Sequence, residues 1–186
     1  QDVVALKNDK PQKLLDALEV IAKSEANHAK RAIAAGASGI FLAIANAQDG
    51  VMSQADYAKL SEPFDRMILE AVRSAPINVL HLHSDEKYGD KLYVDRFYRG
   101  WPAAAINYSL YTHMQISDLR KRYSGVIMAG LDERKYRKLS SADLKQQSSS
   151  AREAAGKKFI LAPGCSVPND STDEELLRLP KLLGAA

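Results

Sequence analysis

The stretch VLHLHSD, residues 79–85, has the pattern of a short buried strand that ends in two imidazoles. Side chains alternate across a strand, so His81 and His83 share one face while Leu80 and Leu82 share the other. A near-continuous apolar run of this length is typical of a parallel strand that is covered on both faces. The stretch therefore predicts a strand whose end presents two histidines side by side, either as structural residues or as ligands.

Outward from this stretch, segments with helical spacing alternate with apolar runs of strand length. The predicted strands are 38–45, 77–83, 103–110, 125–132 and 158–164, and the predicted helices are 11–37, 53–75, 88–100, 116–124, 140–156 and 171–184. Pro11 suits a helix start, Ser53 a helix cap, and Pro63 the start of a second helical part. Strict alternation predicts an α/β fold with a parallel sheet and right-handed crossovers.

Composition indicates one domain over residues 1–186, with 46% hydrophobic residues and a net charge of +3. The charges are interleaved, which argues against a nucleic-acid face. The basic run 134–138 favours a solvated helix start over a site for an anionic substrate. No apolar run approaches the roughly 18 residues of a membrane helix. The single cysteine permits no intrachain disulfide, as is usual in the cytoplasm. The chain opens without Met, and we expect its first residue not to be the natural start.

Polar side chains follow the predicted strands at the edge where α/β sheets carry their active sites. They are Asn46, His81, His83, Asn107, Tyr108, Asp132 and Cys165. Two imidazoles and a thiolate suit tetrahedral zinc with one position left for a substrate. His81 and Cys165 lie three strands apart, or about 14 Å in a flat sheet at ~4.8 Å per strand. A shared metal ion therefore requires the sheet to curl towards a barrel, which five strands do not close.

Several segments, in order, resemble the C-terminal half of the uroporphyrinogen decarboxylase family. They are IAAGASGIF (33–41), VLHLHSD, AINYSL (105–110), VIMAGLD (126–132) and FILAPGCSVPNDSTDEELLRL (159–179). The resemblance covers nearly the whole chain and is most specific in the last block. It implies a TIM (β/α)8-type barrel of about twice this length. By that resemblance the chain supplies about five βα units, strands four to eight, and the N-terminal strands are missing.

The resemblance implies two chemistries. One is decarboxylation of acetate side chains on a porphyrinogen, with no cofactor. The other is zinc-assisted methyl transfer between a corrinoid and a thiol, with a His-x-Cys pair on the fifth strand and a Cys after the eighth. Carried over, these ligands fall on His81, His83 and Cys165, and His83 departs from the pattern by replacing a Cys. The decarboxylase proper has a His in place of Cys165, and its Arg- and Asp-bearing N-terminal segments lie outside this sequence.

The remaining candidates follow from their places at the strand ends. Asp132 and Tyr108 are the catalytic candidates, the alternatives being a helix cap for Asp132 and a rim-filling ring for Tyr108. Asn107, Arg134 and His113 are the substrate-binding candidates, and an ordinary surface position remains the alternative for His113.

Three functions remain open from the sequence. The first is an enzyme with a metal at His81, His83 and Cys165, the second a metal-free decarboxylase, and the third a non-catalytic module or fragment. The expected partner is a small tetrapyrrole, corrinoid or thiol substrate. An open sheet edge would also permit a homodimer.

Overall fold

Five parallel strands form one sheet in the computed structural model, which describes residues 2–184 and all their side chains except those of residues 2 and 4. The strands are β1 (Phe41–Ile44), β2 (Val79–Leu82), β3 (Ala105–Tyr108), β4 (Val126–Leu131) and β5 (Phe159–Pro163). They lie in sequence order, β1-β2-β3-β4-β5, and each neighbouring pair is parallel. The α/β class and the parallel sheet predicted from the alternating pattern are confirmed.

Seven α-helices accompany the sheet within the described residues. They are α1 (Asp2–Asp9), α2 (Pro11–Ala34), α3 (Gln54–Leu60), α4 (Glu62–Glu70), α5 (Ile116–Arg122), α6 (Ser141–Ala155) and α7 (Asp173–Leu183). The Ser53 hydroxyl accepts a hydrogen bond from the Asp56 N–H, and α4 carries Pro63 in its first turn, as predicted. Ser140 and Thr172 each form a capping box, so local sequence determines where α6 and α7 begin.

The helix predicted over 88–100, between β2 and β3, is wrong. This connection contains two single-turn 3-10 helices, Glu86–Tyr88 and Val94–Phe97. Gly89 and Asp90 both have left-handed backbones, with φ of 70° and 54°. Two such residues in succession stop a right-handed helix, and the buried Asp90 carboxylate accepts hydrogen bonds from outside its own segment instead.

The two faces of the sheet differ in character. Leu80, Leu82, Ile106 and Tyr108 are fully buried and belong to the main hydrophobic core. The opposite face carries His81, which pairs with Ala43 of β1 on one side and with Asn107 of β3 on the other. This face lines an open cleft, because the sheet curls into part of a barrel rather than lying flat. Phe41 on β1, at one end of the strand order, is 55% exposed.

None of the described helices combines the length and the apolar character that crossing a membrane requires.

Candidate metal centre

His81, His83 and Cys165 converge at the carboxyl edge of the sheet. The Sγ atom of Cys165 lies 3.4 Å from Nδ1 of His83, and one ligand atom from each of the three residues lies within 4.8 Å of the others. The curl predicted from the sequence is therefore confirmed, since a flat sheet would hold β2 and β5 about 14 Å apart. Among the described His, Cys, Asp and Glu side chains, these three form the one group that could hold a metal ion.

The donor set and the spacing fit a small tetrahedral ion. With Zn–S near 2.3 Å and Zn–N near 2.0 Å, neighbouring ligand atoms of a tetrahedral zinc site lie roughly 3.6 Å apart. The 3.4 Å contact between Cys165 and His83 is close to that value. The ligand atom of His81 lies within 4.8 Å of those of the other two residues.

Asn107 determines which nitrogen of His81 is free. The amide nitrogen Nδ2 of Asn107 donates to the carbonyl oxygens of Met128 and Pro163, at 2.8 and 3.0 Å. These two acceptors orient the amide, so its oxygen Oδ1 faces Nδ1 of His81 at 2.6 Å. An amide oxygen can only accept, and Nδ1 of His81 must therefore carry the proton. The lone pair of His81 is left on Nε2, where a metal could bind.

Burial favours the neutral form of His81. The imidazole is 6% exposed, and burial is the main cause that lowers its pKa below the ordinary histidine value. The hydrogen bond to Asn107 opposes this shift, and the neighbouring His83 adds to it. The ring of Phe41 stacks on His81 with centroids 5.2 Å apart. A neutral imidazole with a fixed tautomer and a fixed plane is ready to act as a ligand.

The turn that carries Cys165 is pressed against the end of β3. A Cβ atom on Gly164 would lie 2.3 Å from Cα of Ser109 and 2.4 Å from the carbonyl oxygen of Tyr108, so only glycine fits there. The Gly164 N–H donates to the carboxylate of Glu133. Glu133, which the sequence analysis did not single out, therefore contacts the residue that precedes the thiol.

The three residues line a cleft of about 550 Å³ together with a mostly apolar wall. Its lining consists of Phe41, Ala43, Ala45, His81, His83, Asn107, Met128, Ala162, Pro163, Cys165 and Ser166. Asn107, one of the three predicted substrate-binding residues, lies in this wall, where its amide contacts His81. The polar groups of the cleft are thus concentrated around the three possible ligands.

Asp132 and Arg134 belong to a separate cluster, which we call the rim network and define as Ser84, Asp90, Tyr111, Asp132 and Arg134. Arg134 donates to the Asp90 carboxylate at 2.6 Å and lies over the Tyr111 ring at 4.0 Å. Ser84 donates to the same Asp90 oxygen, and Tyr111 donates to Asp132. Asp132 also accepts from the Lys135 N–H, which closes the turn before the 3-10 helix Tyr136–Lys138, whose N-cap is Lys135 and not Asp132. Neither Asp132 nor Arg134 is among the residues that line the cleft.

Tyr108 and His113 lie away from the centre. Tyr108 follows Asn107 on β3, so it faces the helix side of the sheet, where it is fully buried in the main core. Burial raises the pKa of its hydroxyl, which makes no hydrogen bond to any described residue. His113 lines a different cavity with Lys91 and Arg122. The structure therefore does not bring these two candidates to the cleft.

Comparison with known proteins identifies a family and a fold. The family model described as "Uroporphyrinogen decarboxylase (URO-D)" matches residues 1–182. Among solved structures, the chain is similar to a methyltransferase from Methanosarcina mazei, with a TM-score of 0.74 and 17% sequence identity over 97% of this chain and 51% of that one. At this identity the likeness shows the fold alone, and the chain spans about half the length of that structure. No curated protein sequence matches it.

Proposed function

We propose that this chain, which belongs to the uroporphyrinogen decarboxylase family, is part of an enzyme that holds zinc through His81, His83 and Cys165 and transfers a methyl group to a thiol. One observation carries the proposal: two imidazoles and the chain's single thiol meet at a strand edge, with ligand atoms within 4.8 Å of one another. Three protein ligands with one open position are typical of catalytic zinc.

The chain's own residues would prepare this site for its ligand. Asn107 keeps Nε2 of His81 free, and the cleft around the centre is lined mainly by apolar side chains. Zinc bound there would lower the pKa of a thiol in the open position, so that the more nucleophilic thiolate is present near neutral pH. In the proposed transfer a C–S bond forms as the methyl leaves a corrinoid, whose cobalt keeps the electron pair, and the thiol proton goes to solvent.

A metal-free decarboxylase acting on a porphyrinogen is the alternative within the same family. Such an enzyme must hold several carboxylates, for which cationic side chains are the natural partners. The described lining of the cleft offers imidazoles, an amide and a thiol, while Arg134 is paired with Asp90 in the rim network. By the family resemblance the Arg-bearing segments of the decarboxylase lie outside this sequence, so the preference for the metal-dependent reaction rests on the convergence of His81, His83 and Cys165. A non-catalytic module is the third alternative, and turnover of any substrate would remove it.

We further propose that β1–β5 correspond to strands four to eight of a closed barrel. The open cleft and the exposed Phe41 on β1 support this, because additional strands would cover both. Three more strands would cover the cleft and Phe41, and a second copy of the chain in a homodimer would also cover them. A reduced thiol is a condition for binding the metal, so we expect the protein to work in the cytoplasm. We expect its substrate to be a small tetrapyrrole-related molecule or a thiol.

Metal analysis of the purified chain tests the proposal. We expect about one equivalent of zinc per chain, and its loss in His83→Ala and in Cys165→Ser, because two ligands rarely retain zinc. His28→Ala is the matched control, since His28 is an exposed residue of α2 that lines a different cavity. Zinc that persists in both ligand variants, or a parent chain that takes up no zinc, would contradict the proposal.

A further inference from the structure

Glu133 has an unusual environment for a carboxylate that follows a strand end. Its side chain is 4% exposed, although Asp132 and Arg134 on either side belong to the more open rim network. A buried carboxylate is costly unless hydrogen bonds replace its hydration. The structure should therefore supply donors to both oxygens, and these donors indicate what the residue does.

Both oxygens of Glu133 bind groups on other strand ends. Oε1 accepts from the hydroxyl of Ser109, at the end of β3, and Oε2 accepts from the N–H of Gly164, after β5, at 3.3 Å. Ser109 is itself fixed, because its hydroxyl accepts from the Tyr111 N–H and its carbonyl accepts from Thr112. The carboxylate of Glu133 thus links the ends of β3, β4 and β5.

We infer that Glu133 is a positioning residue for Cys165, holding the Gly164–Cys165 turn so that the thiol stays within reach of the two histidines. Gly164 is the residue immediately before Cys165, and it packs so closely on Ser109 that a methyl group would not fit between them. Glu133, which follows β4, accepts a hydrogen bond from the N–H of this same Gly164. Cys165 Sγ is then held 3.4 Å from His83, a contact that spans 82 residues of sequence.

Glu133 differs from a ligand in what its oxygens already bind. Each oxygen accepts from a donor of the protein, and Glu133 is not among the described residues that converge as a possible metal site. It acts through Cys165, so its removal should affect the thiol more than the imidazoles. The inference rests on the proposed metal centre, but the position of the thiol can also be measured without metal.

The test uses Glu133→Ala and the isosteric Glu133→Gln, with Glu153→Ala as the control for loss of an exposed carboxylate on α6. Gln keeps an acceptor for Gly164 and offers a donor to Ser109, so it should rescue the function. With cobalt as the probe, we expect Glu133→Ala to weaken binding about 10- to 100-fold and to reduce the thiolate-to-cobalt charge-transfer band. Glu133→Gln and Glu153→Ala should keep both within about threefold of the parent.

A second measurement needs no metal. Cys165 is the only thiol, so its alkylation by iodoacetamide reports directly on the turn. We expect faster alkylation in metal-free Glu133→Ala and parental rates in Glu133→Gln. If Glu133→Ala does not fold, Ser109→Ala replaces it and should shift the cobalt band and the alkylation rate in the same directions, to a smaller extent.

The outcomes separate the two proposals. The inference is overturned if the parent binds cobalt and neither the charge-transfer band nor the alkylation rate changes in Glu133→Ala, or in its replacement Ser109→Ala. That result would not affect the proposed metal centre. A Glu133→Gln variant as impaired as Glu133→Ala also overturns it, because positioning needs the acceptor and not the charge. A parent that binds no metal removes the proposed function, and the alkylation rates then decide the inference alone.

Discussion

Two polar clusters lie at the carboxyl edge of the sheet and differ in what their hydrogen bonds leave free. In the rim network, Asp90 is 6% exposed and its carboxylate receives donors from Ser84 and Arg134. In the proposed metal centre, the oriented amide of Asn107 accepts the hydrogen bond of His81 Nδ1, and no described residue makes a hydrogen bond to the other ring nitrogen. The rim network satisfies its buried groups internally, whereas the metal centre presents lone pairs to a cleft.

We interpret this difference as one between structural polar residues and the residues of the proposed metal centre. Although burial opposes it, the hydrogen bond to Asp90 and the attraction of the nearby carboxylates raise the pKa of Arg134, so its charge is permanent and neutralised within the network. Ser84 directly follows His83, and the network therefore supports the loop that leaves β2. We accordingly expect substitutions in the metal centre to change metal affinity and substitutions in the rim network to change stability.

Among the substitutions that compare the two clusters and leave the three proposed ligands in place, Asn107→Ala should have the largest effect. Without the amide, Nδ1 of His81 loses its fixed acceptor, the proton divides between the two nitrogens, and the ring can rotate. We expect zinc affinity to fall about 10- to 100-fold, as for other residues that orient a ligand. Competition with a chelator measures the affinity, and nitrogen NMR of the imidazole measures the tautomer.

Tyr108→Phe is the matched control, because Tyr108 is the next residue of β3 and faces the opposite side. It removes a buried hydroxyl that has no hydrogen-bond partner among the described residues, so stability should stay the same or rise by up to about 1 kcal/mol. Zinc affinity should stay within about threefold. A parental affinity in Asn107→Ala, or a loss in Tyr108→Phe as large as in Asn107→Ala, would show that the assignment of the two faces is wrong.

A smaller effect, and one of a different kind, is expected for Arg134→Ala. The substitution leaves the Asp90 carboxylate buried without its cation, which should lower the free energy of unfolding by about 1–3 kcal/mol. Denaturant titration measures this loss, while zinc affinity should stay within about threefold. Lys135→Ala is the control, since Lys135 is 67% exposed and its contact with Asp132 is long, at 3.9 Å. Loss of zinc in Arg134→Ala without loss of stability would reverse the roles of the two clusters.

Much of the centre could be predicted from sequence because it depends on strand geometry. Alternation places His81 and His83 on one face, and the apolar strand runs predict the parallel sheet. The chemistry of two imidazoles and a thiol then required a curled sheet, which the 3.4 Å contact of Cys165 confirms. The Ser53 cap was also predictable, since its hydroxyl accepts a hydrogen bond within its own helical turn.

The features that the sequence did not predict correctly depend on contacts between distant segments. The loop 88–100 was predicted as a helix, but Gly89 and Asp90 take left-handed backbones where Asp90 contacts Arg134, 44 residues away. Glu133 gives no local signal, because its burial depends on Ser109 and Gly164 from two other strand ends. The only hint was Gly164 itself, in the Pro- and Gly-fixed turn before Cys165.

The central claim, that one metal ion binds His81, His83 and Cys165 together, is tested most directly by X-ray absorption at the zinc edge of the loaded chain. The account predicts one sulfur neighbour at about 2.3 Å and two imidazole nitrogens at about 2.0 Å, with the sulfur signal absent in Cys165→Ser. Zinc coordinated only by oxygen and nitrogen in the parent chain would contradict the claim, because Cys165 would then not be a ligand of the ion.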